Sequence, residues 1–192
     1  MIKNSFLHSA VKLIVVVLIL SLVTFGCGDG PDSVTCDTSS SEFQNIFDDM
    51  IANGHSDDVF FDTEIHEYTF SLSERKELCK IGYQSQPGIS STPYLIEILE
   101  SATGTVVYSN NHVFSSTATS YITLTSVLSL DAGASYTIRR IQTNWGSNIG
   151  NTIGRLARKS PMSFPYSNGI MTISSANFYQ NGGPSADVGV PY

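Results

Sequence analysis

The chain has 192 residues, with 17 acidic and 10 basic side chains and a formal net charge of −7. Nucleic-acid binding depends largely on Lys and Arg contacts to phosphate, so an acidic chain argues against a nucleic-acid partner. The length suffices for one ordinary domain with its own hydrophobic core.

Residues 1–26 have the layout of an export signal. Lys3 and Lys12 supply positive charge, and residues 13–23 form an almost unbroken apolar run. This run is shorter than the roughly 20 residues that a transmembrane helix needs. A small residue, Gly26, then precedes Cys27. The segment resembles a bacterial lipoprotein signal, in which that cysteine becomes the mature N-terminus. A plain signal peptide and an uncleaved anchor are the alternatives.

The lipoprotein resemblance implies a covalent lipid on Cys27, including palmitate-type acyl chains, and attachment to the cell envelope; we expect the outer membrane. Loss of Lys3 and Lys12 leaves eight basic against 17 acidic residues, a net charge of −9. Such a surface does not attract anionic lipid, so the acyl chains must hold the protein on the membrane. Two chains, at about 0.8 kcal/mol per buried methylene, give a stable anchor.

The two other cysteines, Cys36 and Cys79, form an even remainder in a protein that we expect to be exported. This parity and the oxidising compartment predict a disulfide between them. The loop would contain about 43 residues, for which loop entropy gives a stabilisation of roughly 4 kcal/mol. Two buried free thiols are the alternative.

After the signal, residues 27–41 form the lipidated cysteine and a polar tether rich in Gly, Pro and Ser. The spacing of apolar residues then predicts a helix over residues 42–53, capped by Ser40 or Ser41 and ended by Asn53-Gly54. This helix opens the predicted domain, which spans residues 42–192.

Short runs rich in Thr, Ser, Tyr, Val and Ile follow, and turn residues separate them. Thr103-Gly104 and residues 131–133 stand where hairpin turns belong. Many short strands with little helix predict a mainly β fold, a single antiparallel β-sandwich. The predicted strands cover residues 66–73, 78–84, 93–99, 105–109, 120–128, 135–142, 171–174 and 176–179.

Several of these segments resemble a family of uncharacterised bacterial extracellular β-sandwich modules. The resemblance rests on the hairpin TGTVV at residues 103–107, the strand AGASYTI at residues 132–138 and the later FYQNGGP. The modules are similar in plan to jelly-roll carbohydrate-binding modules, so the resemblance implies a jelly-roll-like sandwich. They usually close with a further apolar strand, whereas this chain stops at residues 189–192. Either the sequence is cut short or the last strand is unfinished, and an unfinished strand would leave an exposed edge.

The pattern of strands fails over residues 142–169, which predicts a long functional loop. Trp145 offers a stacking surface for a sugar, and Arg139, Arg140, Asn144 and Tyr166 offer polar groups for its hydroxyls. These five residues are the candidate ligand-binding set. In the alternative interpretation, Trp145 belongs to the core and the arginines keep an edge strand soluble.

Carboxylates and imidazoles crowd residues 55–66, and Asp62, Glu64 and His66 would share one face of a strand. Such a set is a weak candidate for calcium, because no loop glycine accompanies it. The simpler interpretation is a solvated acidic loop, and we expect no cofactor besides the lipid.

Motifs typical of enzymes are absent from the sequence: there is no GxSxG and no HExxH. We therefore expect a non-catalytic module that binds a surface ligand, a glycan or a surface protein. A structural or adhesive assembly subunit that works by strand addition is the main alternative. A glycoside hydrolase is a minor one.

The anchor rests on Cys27, so Cys27→Ser should abolish metabolic labelling with palmitate and release the protein from membranes. Labelling that persists in the variant would contradict the assignment of the lipid to Cys27.

Mass mapping of the exported protein under non-reducing conditions should recover Cys36 and Cys79 in one linked pair of peptides. Alkylation of both thiols without prior reduction is the result that would rule out the bond.

Overall fold

The computed structural model describes residues 41–61, 63–85, 91–148, 153–180, 183–186 and 189–192. Cys27, Cys36 and Asp62 lie outside this part of the chain. The described residues are mainly β and form α1 (Glu42–Ala52), β1 (Ser56–Phe61), β2 (Ile65–Leu72), β3 (Lys76–Tyr83), β4 (Tyr94–Glu100), β5 (Thr105–His112), β6 (Ser120–Leu130), β7 (Ser135–Gln142), α2 (Trp145–Asn148), β8 (Ile153–Arg158), β9 (Tyr166–Asn168), β10 (Met171–Gln180), β11 (Gly183–Ala186) and β12 (Val190–Pro191).

Helix α1 confirms the predicted N-terminal helix to within a residue at its end. The Ser41 hydroxyl accepts a hydrogen bond from the Gln44 N–H, the capping contact that the sequence predicts. Gly54 follows the helix with φ +84°, a conformation that glycine adopts without strain. Ile46 and Met50 are buried, so the apolar face of the helix joins the core.

The first eight strands pair as in a jelly roll. β1 pairs with β8, β2 with β7, β3 with β6 and β4 with β5, all antiparallel. These pairings are those of one long hairpin folded back on itself, the connectivity of a double-sheet jelly roll. The predicted antiparallel sandwich is therefore confirmed, and its topology follows the jelly-roll plan.

A seven-stranded sheet forms the larger layer, with the order β11-β10-β2-β7-β4-β5 and β9 beside β10. The described strands of the other layer fall into β3-β6 and β1-β8-β12. One hydrophobic cluster joins the layers and includes residues of α1 and of β2, β3, β4, β6, β7, β8, β10 and β12. At one contact between the layers, Tyr83 of β3 meets Tyr94 of β4 with 5.3 Å between ring centroids.

The prediction of one long loop over residues 142–169 is wrong in part, because α2, β8 and β9 lie within this range. The sequence of β8 is IGRLAR, where glycine and two arginines obscure the alternation of a strand. The partner strand β1 lies where the sequence favours a solvated acidic loop. Its acidic residues are compensated across the pair, since Asp57 contacts Arg155 and Asp58 lies 3.5 Å from Arg158.

The C-terminal segment also differs from the expectation of an unfinished last strand. β12 pairs with β8, and Val190 is fully buried. The Tyr192 ring lies 4.7 Å from the Phe47 ring of α1, between ring centroids. Likewise, the two late strands predicted at residues 171–174 and 176–179 form one strand, β10, with an irregularity between Ile173 and Ser175.

Cys79 is buried in β3, where the register with β6 shifts between Leu78 and Lys80. A buried position fits both a disulfide-bonded cysteine and a free thiol. The predicted Cys36–Cys79 bond therefore stays a prediction. Among the described residues, no helix is long and apolar enough to cross a bilayer.

Candidate functional site

Strands β2 and β7 lie at the centre of the large sheet and present different chemistry on its two faces. Phe70 of β2 pairs with Tyr136 of β7, and both side chains point into the sandwich and are buried. Because side chains alternate along a strand, the intervening positions point out of the sandwich. We call the surface that they form the outer face.

One row of polar residues crosses the outer face. Successive strands place these residues in register, from β10 through β2, β7 and β4 to β5. The alignment puts one carboxylate on each side of a guanidinium. This polar row consists of Asn177, Glu67, Arg139, Glu97 and Ser109.

Glu67 is the best-held member of the polar row. Its carboxylate accepts hydrogen bonds from the Tyr179 hydroxyl at 2.9 Å, from Arg139 Nε at 3.2 Å and from Asn177 Nδ2 at 3.3 Å. These donors cover it so well that the residue is only 6% exposed, although it lies on the outer face. Three donors to one charged acceptor stabilise the carboxylate and fix the neighbouring side chains.

Arg139 and Glu97 form the more open half of the polar row. Arg139 Nη1 lies 3.8 Å from Glu97 Oε2, a looser approach than its bond to Glu67. The Ser109 hydroxyl donates to Glu97 Oε1 at 3.4 Å. The Arg139 side chain keeps 30% of its surface exposed. A guanidinium has five N–H donors, so Arg139 can bind a further acceptor from solvent.

A second row on the same face is apolar and runs directly beside the polar row. It consists of Tyr179, Ile65, Ile141 and Leu95, all half-buried. Burial raises the pKa of Tyr179 above its ordinary value, and its hydrogen bond to Glu67 adds to this effect. Tyr179 therefore stays a neutral phenol that donates to Glu67. The outer face thus combines a strip of hydrogen-bonding groups with a strip of apolar surface.

The structure separates the two arginines of the candidate ligand-binding set. Arg139 lies on the outer face, whereas its neighbour Arg140 points into the core and is 4% exposed. There the Arg140 guanidinium carbon lies 5.1 Å from the ring centroid of Tyr94 and 5.6 Å from that of Tyr83. Its Nη1 donates to the Thr63 carbonyl at 3.0 Å. Arg140 is a buried cation between aromatic rings, and it does not share a surface with Arg139.

The remaining three members of that set lie elsewhere. Tyr166 is on β9, which β10 and β2 separate from β7, and its hydroxyl donates to Asp49 of α1 at 2.7 Å. Burial, followed by that carboxylate, raises the pKa of Tyr166 to about 12. Trp145 opens α2 directly after β7 and is half-buried, and Asn144 is exposed beside it. The five predicted residues do not form one surface.

Two of the weak calcium candidates, Glu64 and His66, do not share a strand face. β1 ends at Phe61 and β2 begins at Ile65, so the exposed Glu64 lies in the connection between them. His66 is buried, meets the Phe178 ring with 4.8 Å between centroids, and accepts from the Thr63 N–H through Nε2 at 3.0 Å. Asp62 lies outside the described residues. No group of three potential metal ligands occurs in the part of the chain that the structure describes.

Sequence reasoning found Arg139 but missed its partners in the polar row. Glu67 and Arg139 are 72 residues apart in sequence, and only the pairing of β2 with β7 brings them together. One signal was available in the sequence. Glu67, Arg139 and Glu97 each stand directly next to a core residue of the same strand, so their side chains must point away from the core. The register that aligns them is a property of the fold.

Comparison with known proteins adds no family assignment, because the chain matches no protein-family model and no curated protein.

The interior position of Arg140 generates a stability prediction. Arg140→Ala removes a desolvated cation–π contact and leaves the Thr63 carbonyl without this donor, so unfolding free energy should fall by at least about 2 kcal/mol. Arg75→Ala is the control, since that side chain is 65% exposed; it should change stability by less than about 1 kcal/mol. Urea denaturation measures both values. Equal midpoints for the two variants would mean that Arg140 is not buried as described.

Proposed function

We propose that this protein is a lipid-anchored protein of the cell envelope whose jelly-roll domain binds a neutral glycan on its outer face, without catalysis. The observation that carries the proposal is the pairing of the polar row with the apolar row across four strands. A pyranose ring has the matching pattern, because its hydroxyls need donors and acceptors while its C–H face needs an apolar contact.

The polar row is suited to binding because its side chains are already held in place. Tyr179 and Asn177 are fixed by Glu67, and Arg139 is fixed by Glu67 on one side and approached by Glu97 on the other. A site whose side chains are ordered before binding loses less conformational entropy when the ligand arrives. Among the three charged members of the polar row, Arg139 and Glu97 are more exposed than Glu67, so we expect these two to contact the ligand.

The charges favour a neutral ligand over a charged one. The polar row carries two carboxylates and one guanidinium, and the whole chain has a net charge of −7. An anionic polymer would meet repulsion over most of this surface. Sugar hydroxyls both donate and accept, so they match carboxylate and guanidinium equally well.

The arrangement of carboxylates supports a binding role. Glu67 and Glu97 are two carboxylates on one surface, as in a glycosidase. However, Arg139 lies between them and contacts both. Glycoside hydrolysis needs two carboxyl groups that face each other across the scissile bond. Here a guanidinium occupies that place.

The anchor and the cysteine bond complete the proposal. The signal-like residues 1–26 and Gly26-Cys27 support lipidation at Cys27. Residues 28–41 would then act as a tether that lifts the domain from the membrane. The even number of cysteines that remain after lipidation, together with the oxidising compartment, supports a structural Cys36–Cys79 bond.

A glycan array of neutral oligosaccharides, probed with the full chain purified in mild detergent, tests the binding function. Glu97→Gln keeps the size of the side chain but removes its charge, so affinity for the best-retained glycan should fall about tenfold or more. Thermal stability should stay close to that of the wild type, because partly exposed ion pairs contribute little.

Glu77→Gln is the control, since Glu77 also pairs with an arginine, Arg75, but at a more exposed position away from the outer face. This variant should bind like the wild type. A wild-type protein that retains no glycan, or equal affinities for the two variants, would refute the proposed site.

A further inference from the structure

Exposed apolar side chains are concentrated on one side of the domain. Among the described residues, five of the six large hydrophobic side chains that stay exposed belong to β5, β6 or their connection. The sixth, Ile51, lies in α1. The five are Val106, Val107, Val113, Tyr121 and Val127.

The same side of the domain carries two sheet edges. β5 ends the large sheet and pairs with β4, and among the described strands β6 pairs with β3 alone. β5 and β6 contact each other across the layers, so their edges lie together. We call them the β5–β6 edge. A strand at an edge exposes unpaired N–H and C=O groups, which can pair with another strand.

Charge is missing from this edge. The sequences are TVVYSNNH for β5 and SYITLTSVLSL for β6, and neither contains a charged residue or a proline. Soluble proteins commonly protect exposed edges with lysine or proline. The irregularities at Val107 and in β6 are the protective features that remain. The chain as a whole has a net charge of −7, so this uncharged, partly apolar edge differs from the rest of the protein in its lack of charge.

We infer that the β5–β6 edge is an interface at which β5 pairs antiparallel with β5 of a second copy of this chain. Two acidic copies repel each other wherever their carboxylates meet, and this edge lets them approach without that repulsion. A two-fold axis perpendicular to a strand makes the strand antiparallel to its own copy, so no separate partner sequence is needed. The same axis brings β6 beside its copy in the other layer and covers exposed apolar side chains of both strands.

The pairing has a consequence for the outer face. With the axis perpendicular to the sheet, the two large sheets join into one, and both polar rows lie on the same side of it. This arrangement would present two copies of the outer face in one plane. The inference itself rests on the edge alone and holds whether or not the outer face binds a glycan.

Light scattering coupled to size-exclusion chromatography tests the pairing, because it separates the mass of the protein from that of the detergent. The full chain, purified in mild detergent, should have the mass of two chains at micromolar concentrations. Val107→Lys and Asn110→Lys each add a positive charge to β5 of both copies, so like charges meet at the paired edge. Each should raise the dimer dissociation constant at least about 30-fold.

Ser163→Lys is the control, because it adds the same charge at an exposed position in the connection between β8 and β9. This variant should remain dimeric. Circular dichroism establishes that each variant is folded, and two lysine variants are used so that misfolding of one does not decide the outcome. A wild-type protein with the mass of one chain would overturn the inference, as would a dimer that survives both lysine substitutions.

Discussion

Alternation of side chains along β2 and β7 is the constraint on which the rest of the structure depends. Both strands lie in the middle of the large sheet, so each must supply apolar residues to the core and polar residues to the outer face. Phe70 and Tyr136 meet on the inside, and Glu67 and Arg139 meet three residues further along on the outside. A slip of one residue in this register would bury Glu67 and Arg139 between the layers and expose the aromatic rings. Pairing of the two strands thus builds the core and the polar row together.

The sequence predicted the local elements better than the site. The alternating pattern around Phe70 and the cap at Ser41 were readable because they depend on neighbours in the chain, and both are present. The sequence did not predict β8, because its glycine and two arginines interrupt the alternation of apolar and polar residues that marks a strand. The structure divides the candidate ligand set for a different reason. Arg139 and Arg140 are adjacent in sequence, but a strand sends neighbouring side chains to opposite faces.

The two faces also explain why one arginine is structural and the other is available. Arg140 is desolvated, and aromatic rings together with the Thr63 carbonyl replace the water that it loses. Arg139 stays at the surface between two carboxylates. In the proposed arrangement, the acyl chains hold the domain near the membrane, the outer face meets the glycan and the β5–β6 edge joins two copies. Two sites on one rigid sheet would bind a repetitive glycan more tightly than either site alone.

Backbone chemical-shift changes in NMR spectra, recorded as the best-retained glycan of the array is added, test the central claim most directly. The account predicts that the changes concentrate on the strands of the outer face, around Glu67, Glu97, Arg139 and Tyr179, and leave the region of Trp145 unchanged. Changes confined to residues 143–148, with none in β2, β4 or β7, would contradict it and return the site to the segment that follows β7.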